Sequence, residues 1–315
     1  MNNPQGGWVD FNLSPTLGVE SIEVLRGGAS AQYGSEAVGG VVQVRTLAPP
    51  ARLSPQAGYT LGSYGLGSAR VKLGERFGKL SGVLAYGRLR TDGDYPTGLA
   101  DHPTLENNSL DKEDFYARAD YDFSERLRVR AFHQEVQSDR EVAGSLSFPS
   151  PEATQHDDNR MTAFLFNAQR GKLIDFTLQG SQQRLDQDYH NPDPFFPVAS
   201  HHRVDSREVL LHNRSRSGNL DLLYGVELAH HQINSTDIDK PERDQRSAFA
   251  QAEWRMQRVR SNTLMSLALM PAVRFDDYSD AGSHATPKFS TVWKWERTLS
   301  LSLHGSAGKS FRVPS

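Results

Sequence analysis

From about residue 50 to its end the chain repeats one pattern, apolar and polar side chains alternating with period two. Ile174, Phe176 and Leu178 stand against Asp175, Thr177 and Gln179, and Leu220, Leu222, Tyr224, Val226 and Leu228 against Asp221, Gly225 and Glu227. Met265, Leu267, Leu269, Val273 and Phe275 alternate with Ser266, Arg274 and Asp276, and Leu299, Leu301, Leu303 and Ala307 with Ser300, Ser302, His304 and Ser306. Successive side chains of an extended strand point to opposite faces, so each run predicts a strand with one apolar and one polar, partly charged face. A soluble sandwich and a transmembrane barrel both need such strands. The connections separate the two. Residues 78–79, 124–126, 171–172, 217–219, 258–260 and 296–297 read as tight turns, and between them lie the long polar segments 91–114, 138–159, 188–203 and 234–246. Barrels of the outer membrane alternate short turns with long loops in this way, whereas compact soluble domains keep most loops short at both ends. From Leu53 to Ser310 the pattern predicts about thirteen strands, each near the ~10 residues a tilted membrane strand needs. Phe176, Leu222, Leu267 and Leu301 are expected to face outward and Asp175, Asp221 and Ser302 inward. Tyr121, Phe123, Trp254, Trp293 and Trp295 fall near strand ends on the apolar faces, where interfacial aromatic girdles sit.

Composition changes this picture little. A hydrophobic fraction of 37% and a mean hydropathy of −0.58 are too polar for membrane helices, and no apolar run approaches the ~18 residues of a spanning helix. A barrel strand needs only one apolar face, so half of its spanning residues can be polar. A net charge of −3 and a pI near 6.4 create no field that would draw nucleic acid. The absence of cysteine excludes disulfides, thiol catalysis and zinc-thiolate sites. Met1 opens directly on Asn2, Asn3 and Pro4, without the charged and apolar regions of an export signal.

The densest local signal is SIEVLRGGASAQYGSEAVGGVVQVR, residues 21–45, which places two short strands around a glycine-punctuated turn. Val19, Ile22, Val24 and Leu25 are strand formers, Gly27 and Gly28 accept the positive φ that ends a strand, and 29–33 can make one helical turn. Gly39 and Gly40 bring in the second strand without a Cβ, as a close backbone approach requires. Ile22, Glu23, Val24, Leu25, Arg26, Gly27, Ser30, Tyr33, Gly34, Ala37, Gly39 and Gly40 stand where the plug domain of TonB-dependent outer-membrane receptors has them. The segment resembles the last third of that domain. NNPQGGWVDF at residues 2–11 resembles mid-plug text, and SAGKSFRVPS at 306–315 resembles mid-barrel text.

The resemblance implies an all-β fragment: residues 1–50 as the C-terminal part of the plug domain and 51–315 as the N-terminal part of a transmembrane antiparallel β-barrel. The family's barrel has 22 strands, so about nine, with the energy-coupling box and the front of the plug, are expected to lie outside this chain. An unclosed sheet in lipid leaves unpaired N–H and C=O groups costing several kcal/mol each, so the chain alone is not expected to transport. The function implied is active uptake of a scarce, bulky nutrient, a ferric siderophore or cobalamin, across the bacterial outer membrane. The implied partners are that ligand, the outer-membrane lipid and the TonB–ExbB–ExbD complex, the last reached through a segment not present here. The PQGGW and VDF text leans toward the cobalamin and catecholate-siderophore branch. The alternatives are an outer-membrane barrel enzyme and a passive porin. No Ser/His/Asp order or glycine-framed carboxylate pair appears, and diffusion pores carry no plug.

Within the motif Glu23, Arg26, Gly27, Tyr33, Gly34, Gly39 and Gly40 are the candidate site residues. The resemblance suggests that Arg26 pairs with a barrel-wall carboxylate to hold the plug, the alternative being a solvated lumen charge. Trp8, Phe11 and Tyr33 are candidate aromatic platforms for the ligand, or buried packing. His201 with His202 and His230 with His231 invite a metal reading, but strand neighbours face opposite sides, so loop or lumen histidines without a ligand are the plainer reading. Asp92 with Asp94, Asp157 with Asp158, and Asp276 with Asp277 are candidate calcium carboxylates on outer loops, but they lack EF-hand spacing and solvated tips are the plainer reading. No catalytic, cofactor or metal residue is predicted.

Overall fold

The computed structural model describes residues 13, 16–28, 30–34, 37–98, 104–145, 148–236, 242–260, 263–296 and 300–313. At the N-terminal end β1 (Val19–Arg26) and β2 (Gly40–Thr46) form an antiparallel hairpin around α1 (Ser30–Tyr33), a single helical turn. The chain then runs through β3 (Gln56–Leu61), β4 (Gly67–Phe77), β5 (Leu80–Thr91), β6 (Tyr95–Pro96), β7 (Thr104–Leu105), β8 (Leu110–Ser124), β9 (Leu127–Glu141), β10 (Gly144–Ser145) and β11 (Phe148–Pro149). It continues through β12 (Thr154–Arg170), β13 (Ile174–Asn191), β14 (Val198–Ser217), β15 (Leu220–Ser235), β16 (Glu242–Arg260), β17 (Thr263–Tyr278), β18 (Gly282–Glu296) and β19 (Ser300–Gly308). The pairs β6–β7 and β10–β11 are small hairpins of their own. The other strands from β3 to β19 form one antiparallel sheet of 13 strands, each hydrogen-bonded to its predecessor in the chain. The tight turns pass through Gly78, Gly171 and Gly218 at φ of 59°, 65° and 55°, the left-handed region that costs other residues most.

Cross-strand partners share a face, so the register shows which side each residue takes. One hydrogen-bonded row runs Leu80, Tyr121, Val129, Phe166, Leu178, Leu211, Val226, Ala248, Phe275, Ala285, every member apolar. The row starts at the turn end of β5 and reaches Phe275, the last apolar position on this face of β17 before Asp277. The apolar band therefore slips along each successive strand. This is the stagger of a tilted sheet wound into a barrel wall. Phe176, Leu222, Leu267 and Leu301 lie on this outward face, and Asp175, Asp221 and Ser302 on the inward one, as the alternation predicts. At the turn end the outward aromatics pair: Tyr121 meets Phe123 edge-on at 4.6 Å, Trp293 lies 4.0 Å from Trp295, and Trp254 stands opposite Leu220.

At the other end the strands run further than the sequence pattern suggests. β9 continues to Glu141 and β12 begins at Thr154, while β13 reaches Asn191 and β14 begins at Val198, so each expected loop is shorter. Asp157 and Asp158 lie inside β12, and Asp276 and Asp277 inside β17, rather than on loop tips. Above the apolar band the outward face is charged: Arg160 meets Glu135 at 3.0 Å, Arg184 meets Asp205 at 2.9 Å, and Arg203 pairs with Asp186. With both faces polar, period two vanishes from the hydropathy while the backbone ladder continues. Residues 258–260 are likewise the end of β16, and β17 begins at Thr263, with 261–262 outside the described residues.

Candidate functional site

The N-terminal hairpin and its flanks sit on the inward face of the sheet and touch it in two places. On the first, β8 supplies most of the contacts. Asp114 Oδ2 accepts from both the backbone N–H and the hydroxyl of Thr16, at 2.9 and 2.8 Å. Tyr116, fully buried, donates its hydroxyl to Leu47 O at 3.1 Å, and its ring fills the space beside Gly18, where a Cβ would lie 2.5 Å away. Arg118 donates to Leu47 O at 3.1 Å while its other nitrogens grip Asp120 at 2.9 and 2.8 Å. Asn159 on β12 donates to Leu13 O at 3.1 Å. Leu17 and Leu47 pack against Val83, Ala85 and Tyr116, the small apolar core between hairpin and wall.

On the second, α1 lies against β16, β17 and β18. Arg274 of β17 is 1% exposed, with Asp276 Oδ1 at 2.7 Å and Glu227 Oε2 at 3.1 Å. Ser247 donates to the same Asp276 oxygen at 2.6 Å. The guanidinium lies against Gly34, 3.5 Å from where a Cβ would be, so the end of α1 rests on a charge held by two wall carboxylates. Lys288 of β18 donates to Gly28 O at 2.9 Å. Arg118 with Asp120, and Arg274 with Asp276, are the same device, opposite charges two residues apart on one strand face. That spacing is visible in the sequence and was the available signal for both sites, which the alternation alone does not single out.

The motif glycines have different reasons. Gly27 and Gly34 take φ of 91° and 83°, whereas a Cβ on Gly40 would lie 2.6 Å from Leu25 O, the close approach expected there. Gly39 has open space around it. Glu23 pairs with Arg45 across the hairpin at 2.9 Å, both exposed. Arg26 is exposed and has no ion pair among the described residues. Tyr33 closes α1, and Trp8 and Phe11 lie outside the described residues. His201 and His230 reach Asp188 and Asp244 on the outward face at 2.6 and 2.8 Å, while their neighbours His202 and His231 turn inward to Ser235 and Ser206. Asp157 accepts from Gln155 and Gln187, and Asp92 and Asp94 precede β6. Outside the apolar band, hydrogen bonding to Asp139 raises the pKa of His156, and Arg243 holds Asp280 below the usual carboxylate range. Elsewhere the inner wall holds a recess lined by Asp175, Thr177, His212, Arg214, Asp221, Leu223, Gln251 and Glu253.

A hairpin seated on the polar inner face of a tilted, outwardly apolar wall is the arrangement of a plugged outer-membrane barrel. The family model for the TonB-dependent receptor-like β-barrel matches residues 47–315, and that for the TonB-dependent receptor plug domain matches residues 1–41. The chain belongs to the TonB-dependent receptor family, whose members are outer-membrane transporters. It is 23% identical over 322 aligned residues to the vitamin B12 transporter BtuB of Photobacterium profundum, an alignment covering 98% of this chain and 49% of that protein. The chain thus spans about half the length of this relative. Among solved structures, the FrpB iron transporter of Neisseria meningitidis superposes with a TM-score of 0.73 at 16% identity, over 98% of this chain and 54% of that one. The siderophore receptor PirA of Acinetobacter baumannii gives 0.70 at 17%, over 94% and 48%.

Proposed function

We propose that this chain serves, as part of a receptor, in TonB-dependent uptake of a scarce bulky nutrient of the cobalamin or ferric-siderophore class across the bacterial outer membrane. The observation that carries the reading is the seating of the N-terminal hairpin on the wall at two separate places, by Asp114, Tyr116 and Arg118 on one side and Arg274 and Lys288 on the other. A passive pore has no use for such a stopper. In this reading residues 1–50 are the end of the plug and 51–315 the first part of the barrel, with Trp8, Phe11 and Tyr33 presented to the ligand. The motif from Glu23 and Arg26 through Gly27, Gly34, Gly39 and Gly40 shapes the plug's core hairpin. Energy comes from the TonB–ExbB–ExbD complex, and no covalent chemistry is involved. A relative aligned along nearly the whole chain is a vitamin B12 transporter, and two of the neighbours by fold are an iron transporter and a siderophore receptor.

The test is accumulation of radiolabelled cyanocobalamin and of a ferric catecholate by cells whose own receptors are deleted and which express the receptor, with and without TonB. One of the two accumulates only when TonB is present. Accumulation indifferent to TonB would make the protein a pore, and none of either would end the proposed substrate classes.

A further inference from the structure

Beyond β19 the chain keeps to the register of β18. Lys309 N–H donates to Pro287 O at 2.9 Å, the Phe311 ring stacks on His284 at 4.6 Å between centroids, and Val313 is 1% exposed. This brings Ser310 against Gly28 of the motif turn. A Cβ on Gly28 would overlap Ser310 Oγ and stand 3.7 Å from Ser310 Cβ. The two adjacent glycines of the turn therefore differ. Gly27 has φ of 91° and nothing within 4 Å of a Cβ, so its backbone requires glycine, whereas Gly28 lies outside the positive-φ region and a Cβ there would meet the Ser310 hydroxyl before anything else. Lys288 also donates to the Gly28 carbonyl.

We propose that residues 309–313 are a wall-borne clasp, holding the plug's motif turn to β18 through the contact of Ser310 with Gly28. The inference rests on the reading of the hairpin as a plug. Gly28 is then a positioning residue, and Phe311 and Val313 anchor the segment that meets it. A methyl group at 28 meets the Ser310 hydroxyl, and removing that hydroxyl frees the space.

The chain has no cysteine, so Gly28→Cys with Ser310→Cys reports the contact without background. The 3.7 Å between their Cβ positions suits a disulfide, for which ~3.8 Å is typical. In isolated outer membranes this pair is expected to oxidise to an intrachain disulfide, seen as a mobility shift without reductant, at least about tenfold more completely than Gly28→Cys with Ser302→Cys, whose positions lack that spacing. In parallel, Gly28→Ala raises trypsin cleavage after Arg26 by about five- to 150-fold, the scale of overpacking in a close-fitted contact. Ser310→Gly in the same chain returns cleavage to the parental rate. Crosslinking no better than the control pair overturns the clasp, as does cleavage unchanged by Gly28→Ala or not rescued by Ser310→Gly. Should Gly28→Ala fail to assemble, the cysteine pair decides alone. Neither crosslinking nor cleavage depends on a ligand or on TonB, so a receptor that fails to take up either nutrient can still show the clasp.

Discussion

Removing Arg274 should unseat α1 and destabilise the wall beneath it. The guanidinium is almost wholly buried, and its partners Asp276 at 2.7 Å and Glu227 at 3.1 Å are left without their cation in Arg274→Met. Breaking a buried pair by deleting one partner typically costs 3 to 5 kcal/mol, most of it the stranded charge rather than the lost bridge. That is about two to four orders of magnitude in the unfolding equilibrium. Ser247 still donates to Asp276, which places the expected value toward the lower end. Guanidinium unfolding of the protein reconstituted in liposomes, followed by tryptophan fluorescence, measures the loss. Arg274→Met combined with Glu227→Gln and Asp276→Asn should recover most of it, because neutral amides leave no uncompensated charge. A loss within ~1 kcal/mol, the value of an exposed pair, or a triple variant no better than the single, would refute the reasoning and place this cluster in water.

Three further outcomes follow from the faces and charges of the wall. Leu267→Arg, on the outward apolar band, should cost roughly 2–4 kcal/mol and impair assembly, while Ser266→Arg on the inward face should be tolerated; equal effects in heat-modifiability gels would mean that the faces are misassigned. Arg26→Ala should change stability by no more than ~1 kcal/mol, because Arg26 is exposed without an ion pair among the described residues; increased passage of large antibiotics in this variant would instead support the docking role suggested by the resemblance. The raised pKa of His156 means that its bond to Asp139 contributes fully below the unfolded value near 6.5 and is lost as pH rises through the higher folded value. Its contribution is within ~1 kcal/mol because both groups are well exposed. His156→Gln should therefore weaken stability at pH 6 and leave it unaltered at pH 9; NMR titration of the imidazole at or below 6.5 would contradict the pairing.

The strands and their facing were legible because period two is a local property. Phe176, Leu222, Leu267 and Leu301 could be assigned outward from the polarity of their immediate neighbours, since no strand can present adjacent side chains to one face. Gly27 was legible for a similar reason, its requirement being its own backbone angle. Where the outward face turns charged the local signal disappears, and only the backbone register, along which Arg184 meets Asp205 and Arg160 meets Glu135, shows that the ladder goes on. The charged spacing of Arg118 with Asp120 and of Arg274 with Asp276 was visible, but what those charges meet was not. Nothing near Gly28 in the chain announces Ser310, and nothing near Gly34 announces Arg274, because those distances depend on how the wall curves back around the hairpin. Alternation along a chain fixes which way a side chain points, whereas what it meets there is set by segments hundreds of residues away, and tertiary structure alone brings them within a few ångströms.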